Sequence, residues 1–342
     1  MTPDRVKDLA REGGFELAGI ASAGPSPDFP RFESWVDRGM AGEMSYLTDY
    51  RAAVRSNPKQ LLESARSIIC VGKLYNSPKP YSTEFTDAEI GWISRYAWGG
   101  DYHEVLRRGL SLLAERLGPG HEHKVCVDTA PLLERSFAHA AGLGWIGKNT
   151  CLINEPLGSW FFLGELLTSL EIEPDAPPPD RCGTCNRCVE ACPTHALSPQ
   201  GYELDARLCI SYLTIELRGP VPDQHRSQVG KHVFGCDICQ DVCPWNRRAP
   251  VTEEPAFAPR NMTPSLERLA ALGETEFRNM FRHSPVSRAK YRGFLRNVAI
   301  AMGNSASPAF QAPLEKLAVH DDPLIREHAA WALARCQSET IA

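Results

Sequence analysis

The sequence predicts a mixed α+β/α/β protein in three parts: an α/β region over residues 1–175, a cysteine-rich segment over 176–250 and an all-α end over 255–342. Three observations carry this. Short apolar runs alternate with helical periods through the first half. Eight of the twelve cysteines fall between Cys182 and Cys243. Beyond residue 255 only helical periods recur.

Residues 4–12 have a helical pattern, and Ser67-Ile-Ile-Cys-Val71 reads as a buried strand. Val105, Leu106, Leu110, Leu113 and Leu117 mark a helix over 101–117. Asp101 suits its N-cap, and the Gly99-Gly100 pair before it lets backbone approach a ligand. Lys124–Val127 is a second strand candidate, then Asp128-Thr-Ala-Pro131 and a helix to about Ala141. A carboxyl at that strand end is either a proton donor or an N-cap. Gly142–Thr150, with three glycines and Lys148, is either a ligand cradle or a helix C-cap with a tight turn. Cys151–Ile153 and Trp160–Leu170 complete the alternating region. Pro174–Pro179 is a linker, residues 203–230 contribute to the first part, and Pro250–Pro259 marks the next boundary. Tyr291–Met302, Pro313–Val319 and a stretch from Pro323 are helices. Asp321–Leu333 resembles one HEAT-like repeat, of which about two fit here.

The cysteines carry the chemistry. Cys182-x2-Cys185-x2-Cys188-x3-Cys192-Pro193 is the bacterial ferredoxin run, whose fourth cysteine ligates the other cluster of a pair. Cys236-x2-Cys239-x3-Cys243-Pro244 has the last three positions of a second run, and Cys209 stands in for the missing first. The crossover rule then assigns Cys182, Cys185, Cys188 and Cys243 to one [4Fe–4S] cluster, and Cys192, Cys209, Cys236 and Cys239 to another. Zinc favours paired C-x2-C sites, and disulfides an oxidising compartment. The remaining Cys70, Cys126, Cys151 and Cys336 read as isolated small core residues.

At 342 residues, 43% hydrophobic and 23% charged, the chain is too large for a simple electron carrier. The extra mass suggests that electrons are consumed on site. No P-loop signals an NTP. No apolar stretch approaches about 18 residues and no secretory leader is seen, so a cytoplasmic protein without a membrane partner is expected. Net charge is −5, so a nucleic-acid partner requires a local patch. Arg278, Arg282, Arg288, Lys290, Arg292 and Arg296 form one without an acidic residue between them. A solvated helix face is the other reading.

Together, Asp101-Tyr-His103, Val127-Asp-Thr-Ala-Pro-Leu-Leu-Glu-Arg135, Gly142-Leu-Gly-Trp-Ile-Gly-Lys-Asn149, the displaced Cys209-Ile-Ser-Tyr212 and Gly293-Phe-Leu-Arg-Asn-Val-Ala-Ile300 resemble the epoxyqueuosine reductase family, nearly end to end. The resemblance implies a base-off cobalamin in the N-terminal domain beside one cluster. It implies reduction of epoxyqueuosine, at the wobble position of a tRNA anticodon stem-loop, to queuosine. Asp128 falls at the family's proton donor, which a partly buried site would keep protonated by raising its pKa. Arg51, Arg55, His103, Lys148, Asn149, Ser211 and Tyr212 lie in matching motifs and are the candidate cobalamin contacts along with Asp128. An external low-potential electron donor and a monomer are expected. A dehalogenase-like cobalamin/iron–sulfur reductase and a non-enzymatic electron carrier are the competing classes.

Overall fold

A computed structural model describes residues 1–339 except 79 and 261. Four strands form the central sheet: β1 (Leu17–Ser22), β2 (Ser67–Leu74), β3 (His123–Cys126) and β4 (Phe161–Thr168). Their order is β1-β2-β4-β3 and every pairing is antiparallel. The alternation of strands and helices read from sequence therefore does not build a parallel α/β sheet. The helices after strands act as packing layers and not as crossovers between parallel neighbours.

Strand periodicity divides the sheet into two faces. Ile20, Ile69, Val71 and Leu166 pack on α1 (Pro3–Glu12) and α2 (Tyr102–Arg116) through Val6, Leu9, Leu106 and Leu110. Ile68, Cys70, Cys126 and Leu167 pack on α3 (Glu134–Ala140) through Phe137 and Ala138. Asp101 caps α2, accepting a hydrogen bond from the His103 N–H at 3.0 Å. Gly142 follows α3 at φ +79°, the left-handed turn that a glycine reaches without Cβ strain.

The cysteine segment folds around two short helices, α4 (Arg187–Ala191) and α5 (Ile238–Asp241), packed on each other. Three longer helices close the chain: α6 (Lys290–Ser305), α7 (Gln311–Ala318) and α8 (Pro323–Glu339). Their core does not stop at residue 255. Phe294, Val298 and Ile325 share one apolar cluster with Trp92, Trp98, Val233 and Phe234. The helical end is thus fused to the body instead of docked on it. Among the described residues no helix is long and apolar enough to cross a membrane.

Candidate functional site

The eight cysteines of the segment fall into two sets in space. Cys182, Cys185, Cys188 and Cys243 line one cavity of about 580 Å³. In the other set, burial and then the sulfurs of Cys209 and Cys192 push the Cys236 thiol well up. Cys239 feels Cys236 and Cys209 in turn. Each run lends its last cysteine to the other's set. None of these eight cysteines is in a disulfide. Backbone donors are aimed at the sulfurs: Lys148 N–H lies 3.4 Å from Cys182 Sγ, and Ala196 N–H 3.3 Å from Cys192 Sγ. Ser211 and Tyr212 N–H groups point at Cys209. Four soft ligands with N–H donors behind them suit a four-iron cluster in each place, and the first set lines a hollow as well.

Cys151 departs from its reading as an isolated core residue. It shares a hydrogen bond with Cys239, so a ninth cysteine touches the second set. The spacing hid it, because Cys151 belongs to neither run.

Asp128 follows β3 in the left-handed region, at φ +50°. For a non-glycine residue that costs about 1–2 kcal/mol and aims the side chain away from the strand direction. Its Oδ2 lies 3.3 Å from His103 Nε2 and 3.7 Å from an Arg288 guanidinium nitrogen. His103 Nδ1 is 2.7 Å from Asp101 Oδ1, so the same carboxylate caps α2 and holds the imidazole. Tyr102, stacked on Phe162 with ring centroids 4.2 Å apart, also reaches Asp128. The Asp128 N–H donates to Glu134 Oε1 at 2.6 Å.

These contacts order the protons. Burial pushes the Asp128 carboxyl up, but the His103 hydrogen bond, Arg288 and Tyr102 outweigh it and hold it below the usual carboxylate range. That corrects the expectation of a raised pKa: the side chain keeps 37% of its surface and sits among cations. Burial opposes charge on His103, yet hydrogen bonds to Asp101 and Asp128 lift it to about 9. Glu134 rises to about 7, through burial first and then the charge of Asp128. At neutral pH the exchangeable acid protons of the site therefore sit on His103 and Glu134.

Behind Glu134 lies a group that the sequence reading missed. Glu165 stands on β4 between Cys70 and Cys126, fully buried, with neither carboxyl oxygen hydrogen-bonded. Burial, then the charges of Glu134 and Asp128, push its pKa well up. One acidic residue inside Phe161-Phe-Leu-Gly-Glu-Leu-Leu-Thr168 was the available signal.

Asp128 and Glu134 open on a second cavity, of about 480 Å³. Phe32, Trp35, Met44 and Leu133 give it apolar walls, with Arg31, Arg55, Tyr46 and Thr150 as polar points. Thr150 precedes Cys151, and Ala206 in the same wall begins the turn Ala206–Leu208 that ends at Cys209. The cavity thus backs onto the second cysteine set. Apolar walls with scattered donors and acceptors fit a flat macrocycle fringed with amides, such as a corrin.

The remaining sequence candidates divide. Arg55 is in the cavity wall, donating to the Tyr46 and Arg51 carbonyls at 3.0 and 2.8 Å. Arg51 turns away to Asp49, at 2.6 Å. Lys148 and Asn149 belong to the first cysteine cavity: Lys148 Nζ donates to Gly183 O and Asn186 Oδ1, and Asn149 Nδ2 to Cys239 O. Ser211 and Tyr212 sit behind Cys209, the Tyr212 hydroxyl accepting from Glu43 N–H at 2.8 Å.

The basic patch also divides. Arg296 is fully buried and donates to the Leu213, Leu217 and Gly219 carbonyls, so it is a core strut and no phosphate contact. Arg288 bonds Glu216 at 2.7 Å beside Asp128. Arg292 is paired with Asp322 at 2.7 Å and Arg278 with Glu274 at 2.5 Å. Arg282 and Lys290 are exposed.

Comparison with known proteins gives a consistent picture. Residues 181–246 match the family model for a 4Fe-4S double cluster binding domain. Residues 55–129 match the model for epoxyqueuosine reductase QueG, DUF1730. An epoxyqueuosine reductase of Xanthomonas campestris is 42% identical over 340 residues, covering 97% of this chain and 95% of the relative. That of Escherichia coli is 38% identical over 342 residues, covering 97% and 88%. Among solved structures, an epoxyqueuosine reductase with an epoxyqueuosine-modified tRNA-Tyr stem loop superposes with a TM-score of 0.88 at 31% identity, over 97% of this chain and 89% of the other. One from Bacillus subtilis, with its catalytic aspartate loop swung out of the active site, gives 0.87 at 31%, over 97% and 90%.

Proposed function

The chain belongs to the epoxyqueuosine reductase family, and we propose that it reduces the epoxide of epoxyqueuosine in a tRNA anticodon stem-loop to the alkene of queuosine. The observation that carries this reading is the placement of the 480 Å³ cavity, with Asp128 on one side and the second cysteine set behind Thr150 and Ala206. Electrons and protons meet there. The balance is an epoxide plus two electrons and two protons, giving an alkene and water.

Two [4Fe–4S] clusters and a base-off cobalamin are the cofactors of this reading. Phe32, Trp35, Met44 and Leu133 would hold the corrin by its faces, and Arg31, Arg55, Tyr46 and Thr150 by its amides. When bound, the corrinoid supplies a centre that accepts single electrons and passes two to the epoxide. The chain's own residues do the rest. His103, 3.3 Å from Asp128, supplies the proton that Asp128 relays to the departing oxygen. Asp101 keeps the imidazole charged and oriented. Arg288 balances the negative charge that Asp128 carries before substrate arrives. The modified base must leave its stack to enter the cavity.

Within this reading, residues 1–175 with 203–230 form the cobalamin-binding part, 176–250 the two-cluster part, and 255–342 the helical part. The packing of α7 on α8 supports one HEAT-like repeat at its end. Arg282 and Lys290 are its candidate phosphate contacts, with a monomeric cytoplasmic enzyme as the working form. Anaerobically reconstituted protein tests the proposal. Cobalamin should be bound, by its absorption spectrum, and epoxyqueuosine-tRNA should be converted to queuosine-tRNA. Binding of cobalamin without conversion would refute the substrate.

A further inference from the structure

Electrons must reach the cavity from outside, and the two cysteine sets are not equivalent in their access to solvent. Asp237, between the second-set ligands Cys236 and Cys239, is 1% exposed, locked by Trp92 Nε1, Ser94 Oγ and the Arg95 N–H. Around the first set, Gly183, Thr184, Asn186 and Arg187 are all exposed. The second set backs onto the substrate cavity and the first opens to solvent, so the first is the point of entry.

The charge at that mouth is unlike the rest of the protein. Lys148, Arg181, Arg187, Arg247 and Arg248 line the cavity together with one carboxylate, Glu155. Leaving the cysteines aside, cations outnumber carboxylates five to one in this lining, within a chain of net −5, although Glu84, Glu190 and Asp241 share the adjoining cavity with Arg187 and Arg247. Glu155 is engaged with Arg181 at 3.2 Å. Lys148 is turned inward on Gly183 O and Asn186 Oδ1, at 2.9 and 2.8 Å. Arg187, Arg247 and Arg248 are exposed and lie in no ion pair among the described residues. Unpaired like charges on one rim repel one another and are relieved by a partner of opposite sign.

We propose that the rim formed by Arg181, Arg187, Arg247 and Arg248 is the docking surface of an acidic one-electron carrier protein that reduces the cluster held by Cys182, Cys185, Cys188 and Cys243. The proposal rests on the two-cluster reading above and deepens it by naming where the reductant binds. In each encounter one electron leaves the carrier, such as a flavin hydroquinone, and enters the outer cluster, which becomes one unit more negative. One epoxide needs two electrons, so the carrier must dock and leave twice per turnover. A rim of exposed arginines suits that, because such contacts speed association under salt control without slowing release.

The test uses the full chain with both clusters loaded and an acidic flavodoxin, fully reduced, as probe. Cluster bleaching is followed by stopped flow in wild type and in Arg187→Glu/Arg247→Glu/Arg248→Glu. Illuminated deazaflavin, which needs no docking, serves as the reference reductant. Bleaching by flavodoxin should slow about tenfold or more at low salt, and its salt dependence should flatten. Bleaching by deazaflavin and affinity for the tRNA stem-loop should stay as in wild type. Equal flavodoxin rates in the two proteins overturn the proposal. Loss of stem-loop affinity with flavodoxin reduction intact assigns the rim to RNA instead. If the triple reversal loses iron, the same comparison is made on Arg187→Gln/Arg247→Gln/Arg248→Gln, where an unchanged flavodoxin rate is equally fatal. Clusters that deazaflavin cannot bleach even in wild type would refute the two-cluster reading, and not the rim.

Discussion

Asp128 and His103 act as one unit, and each has its own signature. Asp128→Asn should keep iron and corrinoid while turnover drops about 10²–10⁴-fold, the range for a lost proton donor; near-normal rates would remove Asp128 from the chemistry. His103 is charged up to about pH 9. Turnover should therefore hold through neutrality and fall as pH rises through about 9, and His103→Gln should abolish that limb in a pH profile. Glu165 is a matter of stability. Its folded pKa lies well above the unfolded value, so the folded state binds the extra proton and stability declines as pH climbs past about 4.3. The slope approaches about 1.4 kcal/mol per pH unit while one proton is at stake. Glu165→Gln should flatten that slope and melt higher than wild type at pH 8, and a lower melting temperature there would count against it. Asp128 was legible because it stands in a motif at a strand end. Its charge state was not, since it depends on Arg288, 160 positions along, and on His103 reaching over from α2.

The cysteine runs were the most legible elements, because ligand spacing is local and the crossover follows from chemistry. Cys209→Ala should lower iron from about eight to about four per chain; retention of eight would unseat it as a ligand. The strands were also placed by pattern: Ser67–Val71 extends to Leu74, and Lys124–Val127 shifts by one residue. Their antiparallel order was not readable, since alternation along the chain says nothing about direction in space. The basic patch misled for a similar reason. α6 is buried on nearly every side from Gly293 to Gly303, so Arg296 points inward to three carbonyls and Asn297. Arg296→Ala should cost about 2–4 kcal/mol by leaving those acceptors unpaired, without weakening stem-loop binding beyond what stability loss explains. Arg282→Glu/Lys290→Glu should do the opposite: unchanged melting, weaker binding, and a salt slope lower by about one per lost phosphate contact.

Across the chain, charge is distributed by task. A net −5 body still has two local groups of exposed cations that the proposals use, the arginine rim of the first cysteine cavity and Arg282 with Lys290. The helical end is held to the catalytic part by a common core, and by Arg288 reaching Asp128 and Tyr46. The exchange of last cysteines between the two sets has a further consequence. With the ligands proposed above, two clusters would lash residues 182–243 into a closed figure, in which neither knot could be undone alone. Losing the outer iron frees Cys243, which sits two residues beyond α5 and so slackens the helix that carries Cys239 of the inner set. Oxygen damage at the solvent-facing end should therefore travel inward, until the wall behind Thr150 loosens and the corrinoid is released with the metal.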